Sequence, residues 1–295
     1  MPLHFLIRPR PVAALAAASA LLLTLSACTP GASTDPDTGS VPSAAAPGLP
    51  SSHVHGLSVN RETDQVLLAT HEGLFDATRS PATKIGDTND LMGFTAAADH
   101  GVFYASGHPG PGSDLPNPMG LIRSVDGGTT WEQLSRQGES DFHALAATKS
   151  GLVAYDGTLQ TSPDGKTWSA ATAGFVPAVL AGTPEADTVL ATTPDGLQRS
   201  ADGGKTWELI STAPVIQFAA FASGAEVLGV EPDGSVHYSS DGGSTWTRAG
   251  RIEDQVQAMT AVAGAEGKPW IWAATTEGLV VSTDAGATFR PAGAA

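Results

Sequence analysis

The hydrophobic pattern opens with one long apolar run and then breaks into short alternating segments. Val12–Leu25 is apolar over roughly 14 residues, short for a bilayer span and the size of a signal-peptide core. From Val54 onward, β-branched and apolar residues alternate in brief stretches bounded by Gly, Pro, Asp and Ser, the pattern of β-strands. An inner strand is predicted at Val54–Val59, Asp141–Ala147 and Gln257–Ala263. A second follows a polar turn at Val66–Thr70, Val102–Ser106, Val189–Thr193 and Trp270–Thr275. A third starts at each of Gly73, Gly120, Gly196 and Gly278. Counting inner strands gives six units: roughly 53–90, 91–136, 137–173, 174–212, 213–252 and 253–292. The expected class is all-β.

In five of the six units the third strand runs into the same polar segment. Ser124-Val-Asp-Gly-Gly-Thr-Thr-Trp131 recurs as Ser162-Pro-Asp-Gly-Lys-Thr-Trp168, one residue shorter, and as Ser200-Ala-Asp-Gly-Gly-Lys-Thr-Trp207. Ser239-Ser-Asp-Gly-Gly-Ser-Thr-Trp246 and Ser282-Thr-Asp-Ala-Gly-Ala-Thr-Phe289 complete the set. A period of about 40 residues is the length of one four-stranded propeller blade. The expected domain is therefore a β-propeller over 53–292, with about six blades and seven kept open. An Asp at such a turn accepts hydrogen bonds from nearby N–H groups, Gly supplies positive φ, and Thr closes the loop. Asp126, Asp164, Asp202, Asp241 and Asp284 are accordingly read as structural. The first unit lacks the template between Phe75 and Asp90, so its outer half is expected to be irregular.

These segments resemble the Asp-box, or BNR repeat, of sialidases, sortilin-type receptors and photosystem II assembly propellers. The resemblance implies a propeller whose boxes lie opposite the ligand-binding face. Sialidase activity is not implied. The Phe/Tyr-Arg-Ile-Pro motif is missing, and Arg123 and Arg199 lie beside the boxes rather than in inner strands. The overall sequence most resembles noncatalytic Asp-box propellers, including the photosystem II assembly factors, which bind an assembly intermediate, and bacterial lipoproteins loosely labelled as glycosyl hydrolases.

The N-terminus carries Arg8 and Arg10 before the apolar run, which ends in Leu25-Ser26-Ala27-Cys28. That ending resembles the lipobox of bacterial lipoproteins, so residues 1–28 are expected to be a signal peptide with lipid attached at Cys28. Residues 29–52, rich in Ser, Thr, Pro, Ala and Gly, are expected to be a flexible tether. The implied location is the outer face of a bacterial cell membrane. Cys28 is the one cysteine, so no disulfide is available. The net charge is −15 and becomes two units more negative without the leader. Such a chain repels phosphate backbones, which argues against nucleic acid as a partner.

Candidate chemistry collects on one face. In a propeller, the starts of the inner strands and the turns between second and third strands share the upper face. Aligned inner strands set His55 opposite Met92, His143, Ala178, Phe218 and Met259, with His53 two residues before His55 on the same side. The upper turns add His71 and His108, the latter in an enlarged turn over Gly107–Met119. Imidazole suits zinc and copper, and thioether favours Cu(I). The candidate ligands are His55, His71 and His143, with His53, His108, Met92 and Met259 in reserve. The competing reading is that these side chains plug the channel.

The same face carries Asp90, Asp141, Asp254, Glu72, Asp156, Glu231 and Glu277. A carboxylate pair such as Asp141 and Asp156 is the alternative chemistry, that of a glycosyl hydrolase on envelope or extracellular glycans. The leading expectation is a noncatalytic, membrane-anchored binding or assembly module that takes a protein or small ligand at its upper face.

Overall fold

The computed structural model describes residues 49–60 and 62–293. The signal peptide with Cys28 and most of the tether lie outside the described residues. Blade 1 is built from β1 (Val54–Asn60), β2 (Gln65–Thr70), β3 (Gly73–Asp76) and β4 (Thr83–Ile85). Blade 2 comprises β5 (Asn89–Ala96), β6 (Phe103–Pro109), β7 (Leu121–Ser124) and β8 (Glu132–Ser135). In blade 3 the strands are β9 (Ala144–Thr148), β10 (Gly151–Tyr155), β11 (Leu159–Ser162) and β12 (Ser169–Ala170). Blade 4 has β13 (Val179–Ala181), β14 (Val189–Thr193), β15 (Gly196–Ser200) and β16 (Glu208–Leu209). Blade 5 has β17 (Phe218–Phe221), β18 (Val227–Val230), β19 (Ser235–Ser239) and β20 (Thr247–Arg251). Blade 6 has β21 (Val256–Val262), β22 (Trp270–Thr275), β23 (Gly278–Ser282) and β24 (Arg290–Pro291). Every sheet is an antiparallel meander of four consecutive strands. The fold is thus a six-bladed, all-β propeller.

Blade 1 corrects one expectation. Its outer half is ordered, with β4 paired to β3 from Leu74↔Ile85 to Asp76↔Thr83. The connection holds without an Asp-box because Asp76 accepts from the Thr78 N–H, while the Thr78 Oγ1 accepts from the Val66 N–H.

The second strand of each blade is covered on both faces by neighbouring blades and therefore carries near-continuous apolar residues. Val227–Val230 is buried throughout, as are Val66–Thr70 and Val189–Thr192. The core lies between the blades. Leu67, Ala69 and Leu74 of blade 1 pack on Leu91, Phe103, Met119 and Ile122 of blade 2. Leu121 of blade 2 packs on Phe142, Leu145 and Leu152 of blade 3.

Among the described residues no strand is exchanged between the last blade and the first. The ring closes by packing Val54, Leu57 and Leu68 on Ala258 and Ala274, with Leu49 at the margin. Across the same joint, the Val54 N–H donates to Gln257 Oε1 at 3.0 Å.

The five Asp-boxes follow one geometry. In the first, Asp126 Oδ1 accepts from the Thr130 N–H at 2.9 Å and Oδ2 from the Thr130 hydroxyl at 2.6 Å. The Ser124 Oγ takes the Gly128 N–H at 2.8 Å. Asp202, Asp241 and Asp284 repeat these bonds with Thr206, Thr245 and Thr288, and Asp164 does so with Thr167 in the shorter loop. Gly128 stands at φ +88°, and a Cβ there would lie 2.1 Å from Leu74 of the preceding blade. Each box is thus a turn and a plug at a blade joint.

These carboxylates titrate low. The Thr130 hydroxyl and N–H, with the Ser124 hydroxyl, hold Asp126 at about 2. In blade 5 the Thr245 hydroxyl and N–H hold Asp241 at about 2 in the same way. A carboxylate depressed in the folded state adds stability above its unfolded pKa and loses it as pH falls through the folded one. The stability gap between wild type and Asp126→Ala is therefore expected to be widest above about pH 4 and to narrow toward pH 2. Urea unfolding at pH 5 and pH 2.5 measures it, and an unchanged gap would count against the assignment.

Candidate functional site

Three inner strands begin with an irregularity that fixes the upper rim. The pairing register shifts between Val54 and Gly56, between Leu91 and Gly93, and between Val256 and Ala258. His55, Met92 and Gln257 are therefore equivalent bulge residues, a device that re-aims a side chain. In blade 3 the ladder starts at Ala144↔Tyr155, which leaves His143 at the same level. In blades 4 and 5, Ala178 and Gln217 occupy it, each donating its N–H to the second strand just before pairing begins.

The sequence alignment is corrected in two blades. Phe218 lies one residue too far along, because Gln217 holds the rim. Met259 lies two too far, because the bulge puts Gln257 there; Met259 instead lines the lower channel. That channel opens into a cavity of about 490 Å³ bordered by Phe94, Leu145, Leu180, Phe221 and Met259.

The remaining candidates meet as an arc over blades 1 to 3. His55 Nε2 lies 3.1 Å from His71 Nε2, and His71 Nδ1 lies 2.9 Å from Asp90 Oδ1. The ring of His53 stands 4.9 Å from that of His55 and 6.4 Å from that of His71, centroid to centroid. Further round, Asp141 Oδ2 lies 3.0 Å from His108 Nε2 and 3.2 Å from His143 Nε2. His108 Nδ1 faces Asn117 Oδ1 at 2.7 Å across the enlarged turn. Asp90 and His108 are direct Cα partners between β5 and β6, which joins the two groups. His55, His71 and Asp90 bring their ligand atoms within 4.8 Å of one another.

The electrostatics differ along the arc. Burial, then the neighbouring His71 and His53, push His55 down to about 4, and burial followed by His71 lowers His53. Both rings are neutral at neutral pH. With Nδ1–H donated to Asp90, His71 turns the lone pair of Nε2 toward His55, the tautomer that a metal-ligating histidine backed by a carboxylate adopts. His108 moves the other way: its bond to Asn117, and then the charges of Asp141 and Asp90, raise its pKa against the effect of burial. Both of its nitrogens face oxygen acceptors, an arrangement that asks for a hydrogen, or another cation, on each.

The alternative carboxylates are engaged elsewhere. Asp156 accepts from the Ser140 hydroxyl at 2.6 Å and the Gln160 amide at 2.9 Å, with Arg136 at 3.5 Å. These bonds and that charge overcome burial and hold it below the usual carboxylate range, unlike a general acid, whose pKa must rise. Arg123 is tied to Glu132 at 2.6 Å and Arg199 to Glu208 at 3.4 Å on outer strands.

Sequence reasoning missed three partners. Asp90 and Asp141 were grouped with the acidic rim, although each holds the place of His53 in its own blade, two residues before the bulge level. Asn117 gives no signal until the turn folds back on His108. At the level of His53, blades 4 and 5 carry Val176 and Val215, 60% and 64% exposed. At this level the imidazoles and carboxylates of blades 1 to 3 thus give way to two exposed valines in blades 4 and 5.

The BNR/Asp-box repeat is matched at residues 198–209, and no curated protein matches the chain. Among solved structures, a GH74 xyloglucanase from Xanthomonas campestris superposes with TM-score 0.56 at 15% identity, over 81% of this chain and 38% of that one. The extracellular domain of a putative hybrid two-component system from B. thetaiotaomicron gives 0.53 at 14%, over 81% and 33%. YCF48 from Cyanidioschyzon merolae gives 0.50 at 10%, over 79% and 95%. The chain spans 38% of the length of the xyloglucanase, and at such identities the likeness is one of fold. The chain is a six-bladed propeller carrying BNR/Asp-box repeats.

Proposed function

We propose that this propeller is a noncatalytic binding module, exported and held by lipid at Cys28 on the outer face of the cell membrane, whose upper face binds a zinc or copper ion and through it a protein or small ligand. One observation carries the reading: the Asp90–His71–His55 relay, in which a carboxylate orients one imidazole and a second faces it at 3.1 Å. Two nitrogens on a tetrahedral zinc stand about 3.3 Å apart, given Zn–N bonds of about 2.0–2.1 Å. A shift of a few tenths of an ångström therefore admits the ion between His55 and His71, and His53 is the nearest third imidazole. Imidazole ligands suit Zn and Cu, and Met92 at the equivalent bulge favours Cu(I) over harder ions. Asp90 then acts behind His71, fixing the ring that binds.

Two exposed valines of blades 4 and 5 on the same rim support a partner larger than the ion. A protein or small ligand resting on Val176 and Val215 would place a polar end over the histidines. Among the described residues no helix is long and apolar enough to cross a membrane. The hydrolase alternative loses its named pair, since Asp156 Oδ2 accepts from Ser140 and Asp141 Oδ2 faces two imidazoles.

The test is a zinc and copper titration of the metal-stripped protein beside His55→Ala/His71→Ala. Binding by wild type and its loss in the double variant are expected. Equal binding by the two proteins would contradict the reading.

A further inference from the structure

The histidine arc occupies one end of the channel, and the other end has a chemistry of its own. All six inner strands border the cavity of about 490 Å³ in the lower channel, a volume in the range of small-molecule sites. Short side chains make room for it in blades 4 to 6: Ala181 of β13, Ala220 of β17 and Ala261 of β21 stand on its wall. The bulky part of the lining is aromatic and thioether. Phe94 of β5 and Met259 of β21 are only half-buried there, beside Phe221 of β17. Phe94 is held from two sides. Its ring stacks on that of Phe103 at 5.2 Å between centroids, and a Cβ at Gly56 of blade 1 would lie 2.9 Å from the Phe94 Cβ. The glycine thus lets blade 1 close against the aromatic wall. A half-buried apolar wall is surface that a ligand would remove from water.

The mouth of this cavity carries charge of one sign. Asp99, in the lower turn of blade 2, and Glu185, in that of blade 4, both line it and are both exposed. Glu185 is positioned by the Gly224 N–H, which donates to Oε2 at 3.1 Å. His100, the other ionisable side chain on the lining, lies 3.4 Å from Glu62. Among the described residues no lysine or arginine borders the cavity. An apolar enclosure behind an acidic mouth is complementary to a hydrocarbon or aromatic body that carries a positive charge. Phenyl faces attract such a charge, and a flexible thioether adapts to an irregular apolar shape. An anion of the same shape is repelled at the mouth and by the net charge of −15.

We propose that the lower channel is a second binding site, which takes an amphipathic organic cation, an alkyl or aryl ammonium. Its apolar body lies against Phe94, Phe221 and Met259, and its charged head sits at Asp99 and Glu185. The site does not depend on an ion at the upper face.

Calorimetric titration of the full-length protein with decyltrimethylammonium, decanol and decanoate, each below its micellar concentration, separates body from head. The cation should bind one-to-one and more tightly than the alcohol, with decanoate the weakest. Tetramethylammonium, a head without a body, should not bind. Asp99→Asn/Glu185→Gln should weaken the cation roughly ten-fold, the size of two solvent-screened ion pairs, and leave the alcohol unchanged. Met259→Trp, which narrows the cavity, should weaken cation and alcohol alike, whereas His55→Ala/His71→Ala should bind the cation as wild type does. Should Met259→Trp fail to fold, the mouth variant, changed only at exposed positions, still decides. Equal affinity of wild type for the cation and decanoate, unchanged cation binding in the mouth variant, or no binding of the cation by wild type would each overturn the proposal.

Discussion

Truncation of Phe142 to alanine is expected to destabilise the propeller by about 3–5 kcal/mol, the range for a fully buried aromatic. Its ring is 0% exposed and lies 4.7 Å from that of Trp168, centroid to centroid, inside the joint of blades 2 and 3. Its N–H donates to the Ser106 hydroxyl of blade 2 at 2.9 Å. The substitution therefore opens a cavity where two sheets face each other and removes an aromatic contact. At about 2–4 °C per kcal/mol for a domain of this size, the melting temperature should fall by roughly 6–20 °C. Leu209→Ala, at a side chain 49% exposed, is the control and should stay within about 0.5 kcal/mol. Because the ring closes without strand exchange, every joint contributes to the same circle. An effect of Phe142→Ala no larger than the control would contradict the account of the core.

The second large effect concerns the ion. Removal of a hydrogen-bond partner behind a metal ligand lowers affinity about 10–100-fold, so Asp90→Asn should weaken zinc binding by that factor. His55→Ala/His71→Ala removes the ligands themselves and should exceed about 100-fold. The order is the informative part. A carboxylate that orients His71 predicts an intermediate loss in Asp90→Asn, whereas a histidine cluster that merely plugs the channel predicts no graded series. Competition against a zinc indicator at fixed pH reads all three proteins. Equal affinities across them would remove the ion from the first joint.

The fold was legible because its repeat is local. Each Asp-box closes within eight residues, Ser to Trp or Phe, so five copies at a steady spacing declare the blades without knowledge of any long-range contact. Blade 1 shows the limit: β4 forms on Thr78, Asp76 and the edge of β3, a solution with no repeated motif to announce it. The site was legible as a face and not as pairs. Counting along the strands brought His53, His55, His71, His108 and His143 to one rim. The contacts of His71 with Asp90 and of His108 with Asp141 cross from one blade to the next and depend on how sheets stack. Met259 was misplaced for a different reason. A bulge inserts one extra residue, and a two-residue error in level moves a side chain from the rim to the lower channel, where Met259 meets Phe94 and Leu180 in the cavity lining.

The contrast between the arc and the two valines also follows from blade equivalence once the registers are known. Val176 and Val215 stand where Asp90 and Asp141 stand, yet they face solvent. Two exposed aliphatic side chains beside an ionisable arc suit a binding surface, since the valines supply contact area and the arc orientation.

The most direct test is anomalous diffraction at the zinc edge from crystals of the metal-stripped protein soaked with zinc. The account predicts a peak about 2.0–2.1 Å from both His55 Nε2 and His71 Nε2, with Asp90 still on His71 Nδ1. Two other imidazole–carboxylate pairs lie away from this joint, His100 with Glu62 at 3.4 Å and His237 with Glu231 at 2.5 Å; peaks confined to them, with none at the first blade joint, would contradict it.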